Sequence, residues 1–97
     1  MKDLSELRVE LDDVDRRLAD LLAERWEIVK QVGPAKLREG LDGYDPEREH
    51  EVVDGVVRRA TERGVPSRVA RHVIGTLVVL CRKEVERHVE ARDPDSP

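Results

Sequence analysis

Apolar side chains recur through the first third of the chain at alternating steps of three and four: Leu4, Leu7, Leu11, Val14, Leu18, Leu21, Ile28 and Val32. That period is a single helical stripe of the kind that packs against another helix. One slot breaks it. Arg25 fills the position between Leu21 and Ile28 that the pattern reserves for an apolar residue. Burying an unpaired guanidinium costs on the order of several kcal/mol. An anion must therefore meet Arg25 inside the bundle, either a carboxylate from a facing helix that sets its register or a bound ligand.

The stripe predicts a helix from near Asp3 to at least Val32. Gly33-Pro34 then predicts a kink or a stop, because proline lacks the amide donor and its ring crowds the preceding turn. Ala35 to Arg38 are good helix formers and allow the helix to resume. Gly40 to Tyr44 reads as a loop with two glycines. Asp45-Pro46 gives a second helix its N-cap and first residue. Glu49, Val53, Val56 and Ala60 fall on one face of that helix, which is expected to end near Gly64. Pro66 or Ser67 opens a third helix with a stripe of Ala70, Val73, Ile74, Leu77, Val78, Cys81 and Val85.

Length constrains this arrangement. A first helix of roughly thirty-five residues would be about 50 Å long, whereas a compact chain of this size has a radius of gyration near ~13 Å. Two shorter helices cannot cover such a seam, so a second copy is expected to do so. The reading is an all-α chain of three helices forming an intertwined homodimer. Residues 1–90 would make the helical domain and 91–97 a flexible polar tail.

Composition supports the helical class and narrows the partners. Of the 97 residues, 41% are charged, Phe is absent, and Trp26 and Tyr44 are the only aromatics. A net charge of −4 gives no general attraction to nucleic acid or an anionic membrane. Cys81 is the single cysteine, which precludes an intrachain disulfide. The start, MKDLSELR, resembles neither a signal nor a transit peptide, and no segment is long and apolar enough to span a membrane, so a cytoplasmic location is expected. His50 and Asp54 have helical ligand spacing, but the second histidine of a zinc helix is missing and spacing places no third ligand. No metal or cofactor is expected. His72 and His88 read as surface or packing residues, and Cys81 as a small buried side chain on the apolar face of the third helix.

Most charges form solvated faces, but a few border apolar stripes. Arg8 follows Leu7 and lies one turn before Leu11, Arg25 lies in the seam, and Lys36 is one turn beyond Val32. Arg48 and Glu49 stand one turn before Val52 and Val53. Singly, each cation has an ordinary explanation as half of an interhelical pair. Together, cations with few acids beside them suit a small dianion, since arginine's planar fork fits carboxylates and lysine presents one compact charge.

At these positions the chain resembles the all-α (AroQ-type) chorismate mutases, from Leu4 to about His88. The matching elements are Leu7-Arg8, Leu11, Val14-Asp15, Leu21-Leu22-Ala23-Glu24-Arg25, Val32-Gly33-Pro34-Ala35-Lys36 and Asp45-Pro46-Glu47-Arg48-Glu49. The resemblance implies a homodimer with two shared sites and a small dicarboxylate substrate. By position, Arg8 of one subunit would enter the site of the other, while Arg25 and Arg48 grip the substrate's carboxylates. Lys36 would donate to the ether oxygen, and Glu49 with the backbone near Asp45 would hold the ring hydroxyl. Cys81 would lie near a carboxylate. Two positions depart from the family pattern. Val85, or Glu84 if the register slips by one, replaces the Gln or Glu that usually gives the ether oxygen a second donor, and Pro34 precedes Lys36 by two residues. These departures leave room for an activating partner protein. They equally leave room for a relative acting on 4-amino-4-deoxychorismate or isochorismate, or for a non-catalytic helical dimer or ligand-binding regulatory module.

Overall fold

The computed structural model describes residues 1–91 and consists of three helices, α1 (Leu4–Glu39), α2 (Pro46–Glu62) and α3 (Ser67–Ala91). Each boundary has a local cause. Asp3 caps α1 by accepting a hydrogen bond from the Glu6 amide at 2.8 Å. Asp45 caps α2 in the same way, accepting from the Arg48 amide at 3.1 Å, with Pro46 in the first turn where no amide donor is needed. Gly40, in the left-handed conformation, ends α1 as the Leu41 amide reaches back to the Lys36 carbonyl at 2.8 Å. The expected tail lies outside the described residues, apart from Ala91, which closes α3.

Helix α1 does not stop at Pro34 but runs through it for 36 residues. The proline removes only its own amide donor, and the turn that follows has the helix formers Ala35, Lys36 and Leu37. The neighbouring Gly33 has a packing role. A Cβ built there would lie 2.9 Å from Cδ2 and 3.0 Å from Cβ of His88, so α3 rests directly on the α1 backbone at this point. His88 is therefore a packing residue, while His72 is exposed.

Helix α3 is the spine of the fold. Its Ala70, Ile74 and Val78 form one cluster with Val57 of α2, and its Cys81 and Val85 form a second with Val29 of α1. Leu77 packs against both clusters. The stripe expected on α3 is correct at Ala70, Ile74, Val78, Cys81 and Val85, whereas Val73 is 63% exposed. On α2 the expected Val53 and Ala60 pack against the core, but Val57 takes the buried position in place of Val56, which is 41% exposed. Both choices have helical spacing, and contact with α3 selects between them.

The seam of α1 is left open within the chain. Leu4, Leu7, Leu11, Val14, Leu18, Leu21 and Ile28 are 45–61% exposed, and the buried residues of α1 are Val29 and Gly33. The molecule is accordingly elongated, 63 × 23 × 19 Å with a radius of gyration of 17.3 Å. No helix among the described residues is long and apolar enough to cross a membrane.

The close approach at Gly33 makes a test of this packing. Gly33→Ala should destabilise the fold by about 1–2 kcal/mol, the overpacking cost exceeding alanine's gain in helix propensity. Adding His88→Ala should restore most of that loss in denaturant titration. Equal stability of Gly33→Ala and wild type would contradict the contact.

Candidate active site

One cavity lies where all three helices meet, with a volume of about 330 Å³, within the range of small-molecule sites. Helical spacing puts Arg25, Ile28, Val29, Val32 and Lys36 of α1 on its wall, and α3 contributes Val78, Cys81, Arg82 and Val85. The first turns of α2 add Asp45, Arg48, Glu49 and Val52, and the loop adds Gly43. Valines therefore form much of the lining, with charged groups around them. Four cations, Arg25, Lys36, Arg48 and Arg82, stand against two carboxylates, Asp45 and Glu49, an excess of two positive charges. A low-dielectric lining strengthens attraction for a dianion.

Arg25 is half-buried, and its Nη1 donates to the Sγ of Cys81 at 3.1 Å. Sulfur is a weak acceptor. Among the described residues neither Arg25 nor Lys36 forms an ion pair. The anion that the sequence demands is thus not supplied by this chain's own helices. Cys81 itself is 6% exposed and completes the α1–α3 core cluster.

Lys36 reaches the cavity despite Pro34. Its Nζ donates to the Gly43 carbonyl at 3.0 Å, leaving further donors of the ammonium uncommitted. The loop that offers this carbonyl is itself pressed onto α3, since a Cβ on Gly43 would lie 2.9 Å from the Glu86 Cα. Asp45 spends its carboxylate on the α2 cap, which leaves it less free for a ligand. Arg48 is exposed, and its 3.4 Å pair with Glu51 is a surface pair worth little, so it can exchange that partner for a ligand.

Glu49 meets Arg82, a residue that the sequence reading did not single out. The Arg82 Nε lies 3.4 Å from Oε1 of Glu49 and 3.3 Å from Oε1 of Glu86, and its guanidinium stacks 4.3 Å from the centre of the Tyr44 ring. The Glu49–Arg82 contact is close enough for Coulomb attraction but not aligned as a hydrogen bond, and Glu49 Oε1 and Arg82 Nε have no other hydrogen-bond partner among the described residues. A signal was present: Arg82 follows Val78 by four residues and precedes Val85 by three, at the edge of the α3 stripe.

Of the two registers open on α3, Val85 faces the cavity and is 6% exposed. Glu84 instead pairs with Arg87 and lines a separate hollow with Lys30, Gly33 and His88. Arg8 is not brought to the cavity within the chain. It sits seventeen residues before Arg25 on α1, about 25 Å along the helix axis.

These features define an all-α chain with a cation-rich cavity. Residues 7–86 match the family described as chorismate mutase type II, and the chain belongs to that family. It is 42% identical to a T-protein of Enterobacter agglomerans over 72 residues, covering 74% of this chain and 19% of that protein. It is 33% identical over 84 residues to the bifunctional chorismate mutase/prephenate dehydratase of Aquifex aeolicus, covering 84% of this chain and 23% of that protein. Against the chorismate mutase of Methanocaldococcus jannaschii the identity is 29% over 75 residues, with 77% of this chain and 76% of that protein covered. The chain thus spans about a fifth of the length of the first two relatives.

The Lys36–Gly43 bond fastens the loop between α1 and α2. Lys36→Met should speed amide hydrogen exchange in residues 41–45 while leaving the α3 core amides unchanged, since only the loop loses a partner. Unchanged exchange in the loop would show that the bond does not hold it.

Proposed function

We propose that the chain is a chorismate mutase, converting chorismate to prephenate in the cytoplasm as a homodimer with two shared sites. The observation that carries this reading is the cavity's excess of two positive charges together with its lack of nucleophilic machinery. Among the described residues no histidine, serine or threonine lines it, and its thiol is engaged with Arg25. A unimolecular pericyclic rearrangement requires no nucleophile–base pair. One C–O bond breaks as one C–C bond forms, and all atoms stay in the substrate.

In this reading Arg25 and Arg48 hold the two carboxylates, and Arg8 of the partner subunit closes the grip from the far end of the crossed α1. Cys81 shares Arg25 with a carboxylate. Glu49 accepts from the ring hydroxyl, with the backbone at Asp45 beside it. Holding the enolpyruvyl group over the ring removes much of the entropic cost of reaching the reactive geometry. As the C–O bond breaks, negative charge gathers on the ether oxygen, and the Lys36 ammonium stabilises it more than it stabilises the ground state. Lys36 keeps one donor on Gly43, so its position is set before substrate arrives. The exposed α1 seam supports the dimer, because a crossing copy would cover it and deliver Arg8.

Val85 supplies no second donor to the ether oxygen, so turnover by the pure protein is expected to be modest. An activating partner protein is part of the proposal only if that turnover is slow. Incubating the protein with chorismate should yield prephenate. Val85→Gln should raise kcat by up to about 10²-fold, the worth of one such donor. Failure to convert chorismate would reject the activity, and an unchanged rate in Val85→Gln would reject the placement of the ether oxygen beside residue 85.

A further inference from the structure

The Arg82 contacts join α2, α3 and the loop beside the cavity: Glu49 from α2, Glu86 from its own helix, and Tyr44 from the loop. The side chains of Arg82 and Glu49 are only 23% and 21% exposed, so their charges are weakly screened. Glu49 is also the one lining carboxylate not spent on a helix cap. Whether that carboxylate presents a full negative charge to a ligand depends on Arg82.

We propose that Arg82 is a positioning residue that offsets the charge of Glu49 and so makes the site prefer a neutral ring hydroxyl to a protonated amine. The inference rests on the proposed mutase reading and deepens it toward substrate choice. A hydroxyl needs only an acceptor, and Glu49 can accept whether or not it is paired. An ammonium needs uncompensated negative charge. With Arg82 in place it would meet four cations, Arg25, Lys36, Arg48 and Arg82, around two carboxylates, Glu49 already paired and Asp45 turned to the α2 cap. That like-charge repulsion acts against the amino analogue, 4-amino-4-deoxychorismate, and leaves chorismate unaffected. The rearrangement is the same bond exchange in both, so selectivity arises in binding and charge alone. Glu86 competes with Glu49 for the same guanidinium. The offset is therefore adjustable from a residue outside the cavity lining.

The test compares kcat/KM for chorismate and for its 4-amino analogue in wild type, Arg82→Gln, Arg82→Lys and Glu86→Gln, with folding checked by circular dichroism. Wild type should favour chorismate. Arg82→Gln should shift the ratio toward the amino substrate by about tenfold or more, and Arg82→Lys, which keeps the charge, should restore most of the wild-type preference. Glu86→Gln should move the ratio the other way, and this arm decides the matter if Arg82→Gln does not fold. A purely structural role would lower both substrates together. An unchanged ratio in folded Arg82→Gln, or in Glu86→Gln, overturns the proposal while the mutase reading stands. Failure of wild type to convert either substrate overturns both.

Discussion

Within one copy the guanidinium of Arg25 lies in an apolar seam with a thiol as its hydrogen-bond partner, and the proposed site depends on that charge. A salt bridge within the chain would have made it a structural residue. The helices instead bring Lys36, Arg48 and Arg82 to the same cavity and leave the positive charge in excess. Maintaining several cations near one another opposes folding, and the core beside them is small: two clusters built on α3. A bound dianion would relieve that repulsion, so in the proposed site ligand affinity and stability are coupled.

The means of holding the cavity open are equally local. Gly33 lets α3 approach the α1 backbone at His88, and Gly43 lets the loop approach the α3 backbone at Glu86. The loop is fastened from two sides, by Lys36 on its carbonyl and by Arg82 under the Tyr44 ring. Asp45, by capping α2, fixes where Arg48 and Glu49 begin their helix. Residues that would otherwise be read as turn chemistry thus set the geometry of the site.

Much of this was legible in the sequence because it rests on helix periodicity and end signals. Asp3, Gly40, Asp45 and Pro46 mark ends by local chemistry, and Arg25, Lys36, Arg48 and Glu49 stand out as charges at apolar spacing. Pro34 is compatible with a kink, a stop or a continued helix, because propensity cannot register the support that α3 gives to that turn. Val56 and Val57 are both compatible with a helical stripe, and only packing against α3 buries the second. Arg82 was hidden among many solvated arginines, since its significance comes from Glu49 and Tyr44, which are distant in sequence. Arg8 was marked by its place beside the seam, but one chain alone gives it nothing to reach.

A site shared between two copies can be tested by mixing two inactive variants, Arg8→Ala and Arg25→Ala, under conditions that exchange subunits. In a mixed dimer the Arg8→Ala subunit keeps its own Arg25 and receives Arg8 of the partner subunit, so one of its two sites is intact. An equal mixture should therefore recover about a quarter of wild-type chorismate turnover, because half the dimers are mixed and half of their sites are whole. A mixture that exchanges subunits yet stays as inactive as either parent would contradict a cation clamp built from two chains.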